Sequence, residues 1–188
     1  MRDCFLLALV LPFQAAAACL DTTALENGIV VTLSDTNTVL IERIDGDKLR
    51  ITRRRGSPEV SEAFFGVYAT RTTYRNQAGV LEEIAPAVTE LPQEPASGLV
   101  YETNLPPIDD PYPDPGRSRY TVNVGQPVAV EMGRCTYKTL SIRTEWFVPT
   151  LEVWAGRTNE IQYFPELGFG LRVNDQQIKS ISRVLVRP

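Results

Sequence analysis

From Ile29 to the end of the chain, no stretch repeats its apolar residues every three to four positions, as a packed helix requires. Short runs of β-branched and aromatic residues alternate with turn residues instead. Ile29 to Leu33 reads IVVTL, and residues 39–44 and 48–52 flank Asp45-Gly46-Asp47, a hairpin signal. Residues 65–74 and 80–84 are the next strand candidates. Residues 120–124, 128–132 and 135–147 follow, separated by Gly125-Gln126-Pro127 and Gly133-Arg134. Residues 160–164, 168–174 and 178–186 finish the chain, with turns at Pro165-Glu166-Leu167 and Asp175-Gln176. Ahead of the strands, Thr22 to Asn27 is expected as a helical turn with Asp21 as N-cap and Gly28 as its stop. About ten strands on short turns predict an all-β single domain, an antiparallel meander sheet curved into a half-barrel or open barrel.

One stretch breaks the pattern. Residues 86–116 hold eight of the 14 prolines together with Asp109, Asp110 and Asp114. Proline cannot donate to a ladder, so the segment is expected as a long surface loop, with a short extended piece at 99–103.

The N-terminus predicts the destination. Arg2 and Asp3 are followed by an apolar run from Phe5 to Phe13, then Gln14 and Ala15 to Ala18. Charged start, short apolar core and small-residue exit describe a secretory signal over residues 1–18, leaving residues 19–188 as an exported β domain in the periplasm or secreted. The run is too short for the roughly 20 apolar residues of a membrane span. Of three cysteines, Cys4 leaves with such a signal. Cys19 then has three open fates: a disulfide with Cys135, lipidation as a lipoprotein's first residue, or a free thiol. The even count favours the disulfide. Ala16 stands where a lipoprotein signal carries an aliphatic residue, and membrane contact is expected only if Cys19 is lipidated.

Histidine is absent. That removes Ser-His-Asp and Cys-His catalysis and the common zinc sites. The formal net charge of −4 gives no reason to expect nucleic acid. Asp109, Asp110 and Asp114 lack the alternating ligands and central glycine of a calcium loop, so neither metal nor cofactor is expected. Glu82 and Glu83 are adjacent, so a strand points them to opposite faces, and Glu145, Glu152, Glu160 and Glu166 are scattered, without a local motif for carboxylate-dependent hydrolysis. Arg53, Arg54 and Arg55 form a basic cluster that either contacts an anion or protects a solvated edge strand. Alternation with Leu49 and Ile51 places Arg53 near the core. Trp146, Trp154, Tyr163, Phe164 and Phe169 are candidate contacts for a ligand or partner, with core packing as their plain alternative.

A cysteine at the mature start, a second in CTYKTLSIR and the late EIQYFPELGFGLRV resemble uncharacterised exported proteins of alphaproteobacteria. The YFPELGFG hairpin is also similar to turns in periplasmic half-barrel proteins of the lipoprotein-carrier type. The resemblance covers the two ends of the chain and implies export, a disulfide and a β fold, with no catalytic residue to carry over. The expected function is a non-enzymatic envelope protein that binds a partner protein or an apolar ligand. A structural component without a ligand site is the alternative, and a hydrolase the third.

Overall fold

The computed structural model describes residues 19–33, 37–53, 59–75, 81–84, 93–104, 119–147, 158–174 and 176–184. A 3₁₀ turn, Thr22–Glu26, opens the described chain, and the Asp21 carboxylate accepts from the Thr23 N–H at its start. Twelve strands follow among the described residues: β1 (Ile29–Leu33), β2 (Thr38–Asp45), β3 (Lys48–Arg53), β4 (Glu59–Phe64), β5 (Tyr68–Arg75), β6 (Leu81–Ile84), β7 (Val100–Asn104), β8 (Arg119–Met132), β9 (Cys135–Phe147), β10 (Asn159–Phe164), β11 (Phe169–Arg172) and β12 (Ile178–Arg183). All described pairings are antiparallel. The all-β expectation holds, but the strands divide between two open sheets. Seven run β12-β1-β2-β3-β4-β5-β6 and five run β11-β10-β9-β8-β7. Each sheet is a meander, with β12 added beside β1.

Three strand readings are corrected. β4 occupies residues absent from the sequence reading, and residues 65–67 are a turn rather than the start of a strand. Residues 120–132 form one strand, because the irregularity between Val124 and Pro127 absorbs Gly125 and Gln126 as a bulge. The extended piece of the proline-rich segment is β7, which borders β8 as an edge strand. The segment therefore does not run wholly outside the sheets: Pro95 is buried, and the Gly98 N–H bonds the Val124 carbonyl at 3.1 Å. Asp109, Asp110 and Asp114 lie outside the described residues.

Two apolar clusters hold the sheets. The first packs the inner face of β1–β3, through Ile29, Val31, Val39, Ile41, Leu49 and Ile51, against Leu25, Phe164, Leu167, Phe169 and Leu171. The second joins the β8–β10 face, through Val122, Leu140, Ile142, Ile161 and Tyr163, to Phe65 and Val67 of the β4–β5 turn and Tyr68 at the start of β5. β10 feeds both because successive side chains point to opposite faces: Tyr163 enters one cluster and Phe164 the other. The β4–β5 turn is pressed onto β11. The Gly170 N–H donates to the Phe65 carbonyl at 2.6 Å, and a Cβ on Gly66 would stand 2.1 Å from the Gly170 oxygen.

The β8–β9 hairpin runs past its neighbours. β7 pairs with β8 only through Asn123, and β10 with β9 only as far as Leu140. Beyond those points it continues as a two-stranded ribbon to Gly133-Arg134, where Gly133 takes φ 64, as the first central position of a type II′ turn demands. The ribbon tip is tied down. Cys135 is disulfide-bonded to Cys19 with Cα atoms 5.7 Å apart, the Leu20 N–H donates to the Tyr137 hydroxyl at 3.0 Å, and Met132 packs on the first cluster. The pairing settles the fate of Cys19 and accords with an oxidising compartment.

Candidate functional site

Both faces of β3–β5 carry polar side chains, for different reasons. β3 alternates Leu49 and Ile51 inward, so Arg53, two further on, also points inward. Its register partner on β4 is Glu59, and Ile51 stands opposite Ser61, itself opposite Thr72 of β5. β4 thus turns Glu59 and Ser61 to the interior and leaves Val60 outside. Arg172 arrives from β11 of the other sheet. Its Nη2 reaches both Glu59 oxygens, at 2.7 and 2.9 Å. Nη2 of Arg53 donates to the Arg172 carbonyl at 2.5 Å. The Ser61 hydroxyl donates to Glu59 at 3.3 Å and accepts from the Thr72 hydroxyl at 3.3 Å. Two guanidinium groups and one carboxylate therefore meet between the sheets. Burial, and then the neighbouring Arg172 charge, push the Arg53 pKa down to about 10 against the pull of Glu59.

On the outer face, register brings Glu42, Arg50, Glu62 and Arg71 into one row across β2–β5. Charges of opposite sign alternate along it, the arrangement that favours cross-strand pairs. Lys48 adds a bond to Glu62 at 3.0 Å, and Arg50 lies 3.7 Å from the same carboxylate. The hydrogen bond from Lys48, with the charges of Lys48, Arg50 and Arg71, holds the Glu62 carboxyl below its ordinary pKa against the effect of burial. A cleft of about 300 Å³ opens here, lined by Arg50, Val60, Glu62, Arg71 and Thr73.

The candidate aromatic contacts are separated by the fold. Tyr163, Phe164 and Phe169 have no exposed surface. Phe164 and Phe169 pack at 5.3 Å in the first cluster, while the Tyr163 hydroxyl donates to Glu94 at 2.9 Å in the second. The Trp146 side chain, and Trp154 altogether, lie outside the described residues. So do Arg54 and Arg55, leaving Arg53 as the member of the basic trio that the structure places. Sequence reasoning missed Glu59 and Arg172. Their pairing spans 113 positions and two sheets, and no local pattern marks it.

Tyrosines bring further polar groups into the interior. Tyr68 and Tyr101 meet edge to face at 5.5 Å, and the Tyr120 hydroxyl donates to the Val67 carbonyl at 3.3 Å. Burial raises the pKa of Tyr68 to about 12 and pushes those of Tyr120 and Tyr163 higher. The Glu94 carboxylate adds to the shift at Tyr163. Among the described residues no group of three or more cysteine, aspartate or glutamate side chains is placed to hold a metal ion. Comparison with known proteins gives no match to this chain among family models, curated proteins or solved structures.

Proposed function

We propose that the chain is an exported, non-enzymatic binding domain of the cell envelope, and that its partner is a protein received on the outer face of the seven-stranded sheet. The observation that carries this reading is the open, charged cleft across β3–β5, with its alternating row Glu42, Arg50, Glu62, Arg71. An apolar ligand asks for a concave apolar wall. The cleft presents charged groups, and the aromatic side chains of Tyr163, Phe164 and Phe169 are taken up by packing. The lack of histidine argues against the common hydrolytic machineries. The signal-like start, the Cys19–Cys135 bond and the likeness of the chain ends to exported proteins support an envelope location.

In-cell crosslinking of the tagged protein, with mass spectrometry of the captured chains, tests the proposal. Arg50→Glu and Val60→Asp each alter the cleft from the solvent side. Both are expected to lose the partner that the wild type captures, with the far-UV spectrum unchanged. Identical capture by the wild type and both variants overturns the assignment of this face.

A further inference from the structure

We propose that the polar cluster between the sheets, at Arg53 and Arg172, is a binding site for a small oxyanion: a phosphate, a sulfate or a carboxylate group. It lies on the opposite face of β3 and β4 from the cleft and is independent of the partner reading.

Charge is the first ground. Among the described residues two guanidinium groups lie beside one carboxylate, Arg172 bonded to Glu59 and Arg53 bonded to the Arg172 carbonyl, leaving an excess positive charge in a half-buried place. Excess charge away from water is costly unless something pairs with it. A simple clamp between the sheets needs only Arg172 and Glu59. Arg53 adds a second cation beside a carboxylate that already receives Arg172 and Ser61, and its own bond goes to the Arg172 carbonyl instead.

Hydrogen-bonding capacity is the second ground. A guanidinium carries five N–H donors in a planar fork. Among the described residues Arg53 gives one of them, to the Arg172 carbonyl. Among the described residues its donors outnumber the acceptors they meet, and an oxyanion supplies both further acceptors and a balancing charge. Planar guanidinium groups match carboxylate, phosphate and sulfate geometry better than a point charge does. Access is the third. Side-chain exposures of 36% for Arg172 and 25% for Glu59 leave the cluster in reach of an ion from solution.

Thermal unfolding in sodium phosphate, sulfate or acetate, against chloride at matched ionic strength and pH, tests the site. At 20 mM or less, general salting effects are small. At least one oxyanion is expected to raise the midpoint saturably, by about 4 °C for a millimolar site. Phosphate and sulfate acting without acetate would mark a tetrahedral-anion seat, and acetate acting as well would mark a carboxylate seat. Arg53→Met is expected to lose the increment in the same salts. If that variant does not fold, the wild-type Arg53 Nε–H resonance decides, and it should move saturably on titration with phosphate, sulfate or acetate. The proposal fails if no oxyanion raises the midpoint above chloride, if Arg53→Met keeps the increment, or if the Arg53 resonance stays still in all three.

Discussion

Gly66 shows how much a single position can demand. It sits at φ 68, where side chains are strained, and a Cβ there would meet the Gly170 carbonyl oxygen at 2.1 Å. That oxygen is backbone and cannot swing aside. Gly66→Ala should therefore cost about 3 kcal/mol or more. Gly46 has a similar φ of 49 but nothing within 4 Å of its ideal Cβ, so Gly46→Ala should cost only about 1 kcal/mol. Urea unfolding of the two variants measures the contrast, and equal losses would show that the contact of turn and strand is loose. Tyr68, Tyr120 and Tyr163 carry a second residue-scale expectation. Their folded pKa values are raised above the unfolded value near 10, so the stability gained by keeping them neutral is whole below pH 10 and drains as pH climbs through the folded values. Arg53 pulls the other way. Its folded value near 10 lies below 12.5, so the cost of holding its charge is relieved above pH 10, but it is one group against three. Stability should fall from about pH 10 upward, and the 295 nm absorbance of these tyrosinates should appear only with unfolding. Ionisation of Tyr68, Tyr120 and Tyr163 near pH 10 with the fold intact would contradict their burial.

At the scale of elements, what was legible followed the hydrophobic alternation. β1, β3 and the hairpin at Gly46 could be read because Ile29, Val31, Leu33, Leu49 and Ile51 face an apolar interior. β4 could not, because its pattern is inverted: Glu59 and Ser61 point inward to arginine and threonine, and Val60 outward. The turn after it was equally hidden. Phe65-Gly66-Val67 carries no polar turn signal, since Phe65 and Val67 are buried against the second sheet. Arg53 could be placed inward by its spacing from Leu49 and Ile51, whereas its companions could be known only from the packing of β11 on β3 and β4. The ribbon of β8 and β9 is the element with least support of its own, and its tip depends on the disulfide. In the chain-entropy account, a bond across 116 positions stabilises the fold by about 4–5 kcal/mol. Reduction should lower the urea midpoint accordingly and speed amide exchange in residues 19–26 and 126–139 ahead of the sheets. An unchanged midpoint after complete reduction would show that Tyr137 and Met132 hold the ribbon without the covalent bond.

Among the described residues the strands pair with their neighbours in sequence, with one exception. β12 pairs with β1, from Ile29 opposite Arg183 to Leu33 opposite Ile178. The Gly28 carbonyl accepts from the Val184 N–H at 3.0 Å and extends the match. Removing the chain after Asn174 should therefore do more than trim an end. It would strip β1 of one side of its ladder and bare an apolar edge, so the shortened protein is expected to associate, measurable by light scattering at micromolar concentration. A monomeric, fully folded truncation would mean that the edge is dispensable. The same pairing bears on how the molecule comes into being. A ribosome delivers β1 long before β12, so the larger sheet stands unfinished while the strands between them are made, its first strand waiting on the last one described. Folding cannot be completed stepwise from the front, and whatever accompanies the nascent chain must shield that waiting edge until the closing segment emerges.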